Sequence, residues 1–189
     1  MADIAVTREK PPRHAPLANL PCDPFARAIA PMARFSLRLG DAAIQSASAA
    51  IGLDLAQPIN RAVTREQRSA LRLGPDEWLI LASEGDAAAI AARLDQAISE
   101  GVFSLVDISH RQTAILLEGK DVADILNAAC PLDLDLGAFP VGMATRTVFA
   151  KAEIVLWRIA PAGFHIEVWR SFSPYVWALL RDIGREYKD

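Results

Sequence analysis

The chain has 189 residues, 52% of them hydrophobic, and a formal net charge of −3. That length suits one domain of ordinary size, or two small halves sharing a core. A near-neutral chain without clustered Lys and Arg excludes a nucleic-acid surface, which needs a basic patch for phosphate contacts.

Cys22 and Cys130 lie in no CxxC or Cys/His pattern, and His14, His110 and His165 are scattered. Neither a disulfide framework nor a metal site is expected. No apolar run reaches about eighteen residues, so no membrane helix is expected. The charged start has no apolar core of a signal peptide, which leaves a cytoplasmic setting as the default.

Residues 1–31 carry six of the chain's twelve prolines. Proline removes amide donors and holds its predecessor extended, so this extension is expected to form neither helix nor central strand. It reads as a disordered tail or as a strap, with Leu17, Leu20, Phe25 and Ile29 to bury. Alternation of Phe35, Leu37 and Leu39 against Arg34, Ser36 and Arg38 predicts a half-buried strand. Asp41 is expected to cap a short helix that Gly52 ends, and residues 53–66 read as a loop. Strands at 69–73 and 78–82 flank a Gly-Pro-Asp turn. The second of them, apolar on both faces, is expected to be central. A helix from Asp86, closed by Gly101, leads to a strand at 102–108.

The stretch 106–135 then carries the densest pattern: a strand end with Asp107, a turn with Ser109 and His110, a strand at 113–117, a glycine corner at Gly119 and an amphipathic helix over 121–129. Pro131 stops that helix. Strands follow at 144–150, 154–159 and 164–169. Ser173-Pro174 predicts a capped last helix with Pro at its first position.

This order is β-α-β-β-α-β followed by β-α-β-β-β-α. LRLGPDEWLIL (71–81) aligns with WRIAPAGFHIE (157–167), matching Arg72 to Arg158, Pro75 to Pro161 and Trp78 to Phe164. The fold class is therefore α+β: two related β-α-β-β-α units whose antiparallel sheets are covered by helices. Boundaries fall at 1–31 for the extension, 32–108 for the first unit and 109–189 for the second, the halves sharing one compact domain.

Neighbouring Ser109 and His110 at a strand turn point apart, which does not suit a nucleophile–base pair. Asp107, Ser109, His110 and Gly119 read as residues that tie the turn. Gly119-Lys120-Asp121 lacks the spacing and the Ser/Thr of a phosphate loop. His165, Glu167 and Trp169 share one strand face, with Arg170 following. They form a candidate subunit contact or a vestigial ligand face. No residue is assigned as catalytic, cofactor-binding or metal-ligating.

VDISHRQTAILLEGKDVADIL (106–126) resembles the D-x-S-H…G-x-D-A…L signature of the glycine-cleavage aminomethyltransferase superfamily, whose members bind folate. A longer resemblance is to one branch, the gamma subunit of heterotetrameric sarcosine oxidase. It rests on LGPDEWLIL (73–81), SHR (109–111), CPLDLD (130–135), FPVGMATRT (139–147) and RSFSPYVWALL (170–180), in that order. The resemblance implies an aminomethyltransferase-like fold and a place in a complex that oxidises sarcosine. FAD, FMN, NAD and tetrahydrofolate are implied on other subunits of that complex, and none in this chain. The implied partners are alpha, beta and delta subunits, mainly alpha, with neither nucleic acid nor membrane.

In the aminomethyltransferases a strand beyond the D-x-S-H unit carries an aspartate that acts at the folate. The matching hairpin here, Phe149 to Val155, has Glu153 as its one carboxylate. The resemblance thus implies a structural rather than a catalytic subunit. The alternative it leaves is a stand-alone folate-binding protein or a degenerate aminomethyltransferase.

Overall fold

A computed structural model of the chain describes residues 16–17, 20, 23–98 and 102–187. In chain order they form β1 (Ala26–Ala28), β2 (Ala33–Leu39), α1 (Ile44–Ile51), β3 (Arg61–Arg65), β4 (Arg68–Arg72), β5 (Glu77–Ala82), α2 (Ala87–Ala97) and β6 (Phe103–Asp107). There follow β7 (Gln112–Glu118), α3 (Val122–Asn127), β8 (Ala144–Phe149), β9 (Ala152–Ala160), β10 (Gly163–Trp169) and α4 (Ser173–Gly184). Two five-stranded sheets result, ordered β3-β4-β5-β2-β6 and β1-β7-β10-β9-β8. All strand pairs are antiparallel.

Side-chain alternation along each strand sorts the two faces. Phe35, Leu37, Trp78 and Ile80 pack beneath α1 and α2 with Ile51, Ile90 and Leu94. Ile115, Leu117, Phe164 and Ile166 pack beneath α3 and α4 with Ile125, Leu126, Val176 and Leu180. Burial of each such side chain contributes about 1.5–3 kcal/mol. The opposite faces turn to each other: Leu71, Leu79 and Leu81 of the first sheet meet Ala144 and Val155 of the second, with Ile108 beside them. The layers are therefore helices, sheet, sheet, helices.

One pair of sheet edges is stitched together. The Ala62 N–H donates to the Gly142 carbonyl at 2.8 Å and the Ala144 N–H to the Asn60 carbonyl at 3.1 Å. At the other side the edge strands are exchanged. β1 runs into β2 yet pairs with β7, whereas β6 runs into β7 yet pairs with β2.

Arg72 and Arg158 occupy matching strand positions and make matching contacts. The Arg72 guanidinium lies 5.0 Å from the Trp78 ring centroid and Arg158 4.6 Å from that of Phe164. Each donates to the carbonyl of the proline three residues on, Pro75 at 2.6 Å and Pro161 at 2.9 Å.

Several local expectations are corrected. Residues 53–66 are not all loop: 61–65 form the edge strand β3. Its Ala62 and Val63 are only half-buried, and its hairpin turns through Glu66 at φ 56 rather than a glycine. Asp41 does not cap α1; it opens a single 3-10 turn, and α1 starts at Ile44 without a side-chain cap. Ser173 does not cap α4 either, because its hydroxyl donates to the Arg170 carbonyl at 2.9 Å. Gly52 does end α1, in the left-handed conformation at φ 71. The closing of α2 by Gly101 lies outside the described residues. β5 is the central strand of its sheet.

The described part of the extension lies on the second sheet. Leu17 is buried in the core beneath α3 and α4, and Phe25 packs against it. A Cβ built on Gly184 would sit 2.5 Å from Phe25 Cζ. Gly184→Ala should therefore destabilise the chain by about 1–3 kcal/mol through overpacking. Phe25→Ala in the same chain should recover part of that loss, because the two residues touch. Thermal denaturation of the single and double variants measures both effects.

Candidate functional site

Two polar constellations need placing: the 107–111 turn and the His165–Arg170 row. In the turn, the Ser109 N–H donates to Asp107 Oδ1 at 2.8 Å, a local Asx turn. The buried Ser109 hydroxyl accepts from the Arg34 N–H at 2.9 Å and faces the Arg34 carbonyl at 3.4 Å. Ser109 thus docks the turn onto the start of β2. His110 is exposed, so Ser109 and His110 do not meet as nucleophile and base. Gly119 stands one strand away, at φ 144, where its N–H donates to the Ala162 carbonyl at 3.1 Å. That backbone conformation strains any residue with a Cβ. Gly119 also lines a groove of about 430 Å³ with Pro24, Phe25, Asp121, Val122 and Tyr187.

The row is divided. His165 and Glu167 project between the two sheets and are buried, at 6% and 1% exposure. Glu167 Oε2 accepts from Arg34 Nε at 2.5 Å, and Oε1 lies 2.8 Å from His165 Nε2. The His165 ring tilts against Trp157, centroids 5.6 Å apart. A partner cannot reach these two side chains without parting the sheets. Trp169 remains 40% exposed, with the Arg111 guanidinium 4.9 Å from its ring centroid. The Arg170 N–H donates to the Arg111 carbonyl at 2.9 Å, which ties the turn to the end of β10.

Sequence reasoning missed Arg34, the residue that joins both constellations. Its only signal is its place on the polar face of a strand. A second inter-sheet ion pair, Arg146 to Glu77 at 2.6 Å, closes the rim, where Glu77 also meets Arg38 at 3.2 Å. The Arg146 hydrogen bond holds the Glu77 carboxyl below its ordinary range against the opposing effect of burial, and Arg38 adds to it.

Other acidic residues are engaged locally. Asp133 and Asp135 accept from backbone amides two residues on, at 2.9 and 2.7 Å. Glu153 is exposed and 3.9 Å from Arg146 Nε. Among the described residues no three His, Cys, Asp or Glu side chains converge as a metal site. No helix among them is long and apolar enough to cross a membrane.

Burial pushes the Glu167 carboxyl up, but the Arg34 guanidinium and the His165 hydrogen bond outweigh it and hold the carboxyl below its ordinary range. A folded-state pKa depressed in this way gives stability that is present above the unfolded value of about 4.3 and lost as pH falls through the folded one. Glu167→Gln should flatten this acid limb of the stability profile. It should also cost about 3–5 kcal/mol at neutral pH by leaving Arg34 buried without its counter-charge. Arg34→Met with Glu167→Leu should restore most of that loss. Urea denaturation from pH 3 to 7 measures all three outcomes.

Comparison with known proteins places these features. Residues 39–186 match the model of the sarcosine oxidase, gamma subunit family. The chain is 31% identical over 149 residues to sarcosine oxidase subunit gamma of Corynebacterium sp. (strain P-1), covering 78% of this chain and 72% of that protein. It is 31% identical over 128 residues to the Arthrobacter sp. subunit gamma, covering 67% of this chain and 62% of that protein. Among solved structures, a chain of heterotetrameric sarcosine oxidase from Corynebacterium sp. U-96 superposes with a TM-score of 0.84 at 26% identity, over 94% of this chain and 97% of that one. The glycine cleavage aminomethyltransferase of Bartonella henselae superposes with a TM-score of 0.64 at 16% identity, over 82% of this chain and 44% of that one, a likeness of fold. With its family model matched over most of its length, the chain belongs to the sarcosine oxidase gamma subunit family.

Proposed function

We propose that this chain is the small gamma subunit of a cytoplasmic heterotetrameric sarcosine oxidase, and that its role is structural. The observation that carries this reading is the likeness to a chain of a heterotetrameric sarcosine oxidase over 94% of this chain and 97% of that one. In this reading the complex converts sarcosine, O2 and tetrahydrofolate to glycine, H2O2 and methylenetetrahydrofolate. FAD, FMN, NAD and the folate are held by the alpha, beta and delta subunits, and alpha is the main partner of this chain. Two features support a structural role. The most polar cluster, Arg34–Glu167–His165, is engaged between the sheets and closed to substrate. The hairpin that would carry the superfamily's folate-directed aspartate presents Glu153, exposed and beside Arg146.

We also infer that the chain is an internal duplication, with units 32–108 and 109–189 in one compact body and residues 1–31 as a Pro-rich extension. The sheets support this by their order: β3-β4-β5-β2-β6 maps onto β8-β9-β10-β7-β1. The Arg72–Trp78 and Arg158–Phe164 contacts correspond under the same mapping. Asp107, Ser109, His110 and Gly119 then act as turn residues of the junction between the units.

Co-expression of the chain with candidate alpha, beta and delta subunits, purified by a tag on this chain, should yield all four with sarcosine-dependent H2O2 production. Recovery of the chain alone overturns the reading. Titration of the isolated chain with tetrahydrofolate to millimolar concentration should give no heat of binding; a saturable heat would favour a folate-binding protein instead.

A further inference from the structure

Each of the two matching arginines fixes a loop that presents an apolar side chain. Arg72 donates from Nη1 to the Gln57 carbonyl at 2.9 Å, while its own carbonyl accepts from the Asn60 N–H at 2.8 Å. Ile59 stands between those two anchors. Arg158 repeats the arrangement: its Nη1 donates to the Phe139 carbonyl at 2.7 Å, and its carbonyl accepts from the Gly142 N–H at 2.8 Å. Val141 stands between those. Asn60 and Gly142 are both left-handed, at φ 63 and φ 83. The backbone is thus held on both sides of Ile59 and Val141, yet the two side chains are 45% and 48% exposed. An apolar side chain fixed in this way loses little further freedom when a contact covers it.

The two loops meet where β3 and β8 are stitched together. An antiparallel bridge pairs Arg61 with Met143, so Ile59 and Val141 fall toward its opposite ends. Arg61 alternates with Ala62, which packs between the sheets, and so shares the outer face of β3 with Val63. Arg61 is only half-buried, so a partner can reach the side chain, but its Nη1 is shielded from water without a hydrogen-bond partner. A charged donor in that position is costly, and a carboxylate is the group that the planar guanidinium fork pairs with best.

We propose that the β3–β8 seam is a docking surface for a partner subunit, which brings a carboxylate to Arg61 and apolar side chains to Ile59 and Val141. This rests on the subunit reading above. Charge favours a different protein over a second copy of this chain. A two-fold contact centred on the seam would set Arg61 of one copy against Arg61 of the other, and like charges oppose that.

The test uses the full chain co-expressed with its candidate partner subunits. Arg61→Glu should cut recovery of those subunits by about tenfold, the loss of one interface anchor. Ile59→Lys combined with Val141→Lys should do the same, whereas Arg61→Lys should keep most of the recovery. The melting temperature of each isolated variant separates lost docking from misfolding. Oxidative footprinting of the parent chain needs no substitution and decides the case where a variant melts early: labelling of Ile59, Val141 and Met143 should be lost on assembly, because an interface core excludes water. Recovery like the parent's for Arg61→Glu or for the lysine pair, or unchanged labelling of the seam in a complete complex, overturns the docking surface and leaves the subunit reading intact. A dimer of the isolated chain that the lysine pair disperses overturns it in favour of a second copy. A parent chain that recovers no partner overturns both readings.

Discussion

The buried pair Arg34–Glu167 is the contact on which the arrangement of the two sheets depends. Its partners come from β2 and β10, one sheet each, and both side chains are almost fully shielded from water. A carboxylate in that position without its guanidinium would cost several kcal/mol. The sheets can therefore meet only in the register that brings the two together. His165 takes the second carboxylate oxygen, and Ser109 holds the Arg34 backbone on both its N–H and carbonyl sides. The turn with the superfamily signature and the inter-sheet ion pair are thus one mechanical unit, converging on Arg34.

That unit changes what the signature means in this chain. In a catalyst, Asp107, Ser109, His110 and a carboxylate would be expected to frame a cleft. Here Asp107 closes a local turn, Ser109 faces inward on backbone, and the buried carboxylate answers an arginine. The motif survives as a joint between sheets.

Much of the fold was legible because side-chain alternation is a direct imprint of a half-buried strand. Phe35-Leu37-Leu39 and Phe164-Ile166-Val168 announced β2 and β10, and WLILA announced a central strand. The left-handed Gly52 marked the end of α1. β3 was not legible: Arg-Ala-Val-Thr-Arg is an edge strand defined by backbone pairing with β4, and its hairpin lacks the usual Gly or Asn. The candidate row failed for a related reason. His165 and Glu167 alternate with apolar residues in the pattern of a solvent-facing edge, and only a second sheet laid over them makes that face interior. Sequence periodicity reports how many faces of a strand differ, not what each face meets. Arg34 was invisible on the same ground, since its charge reads as exposed until Glu167 is placed opposite it.

The exchange of β1 and β6 has a consequence for how such a chain can be made. β1 leaves the ribosome early, but its partner β7 is synthesised only after the whole first sheet and α2. Ala26 must therefore wait for Leu117. β6, by contrast, meets a β2 that is already present. The first sheet can close during synthesis, while the second is finished by the oldest strand of the chain. Pro24 and Pro31, which carry no amide donor, flank β1 and leave its surroundings fewer alternative backbone pairings while it waits.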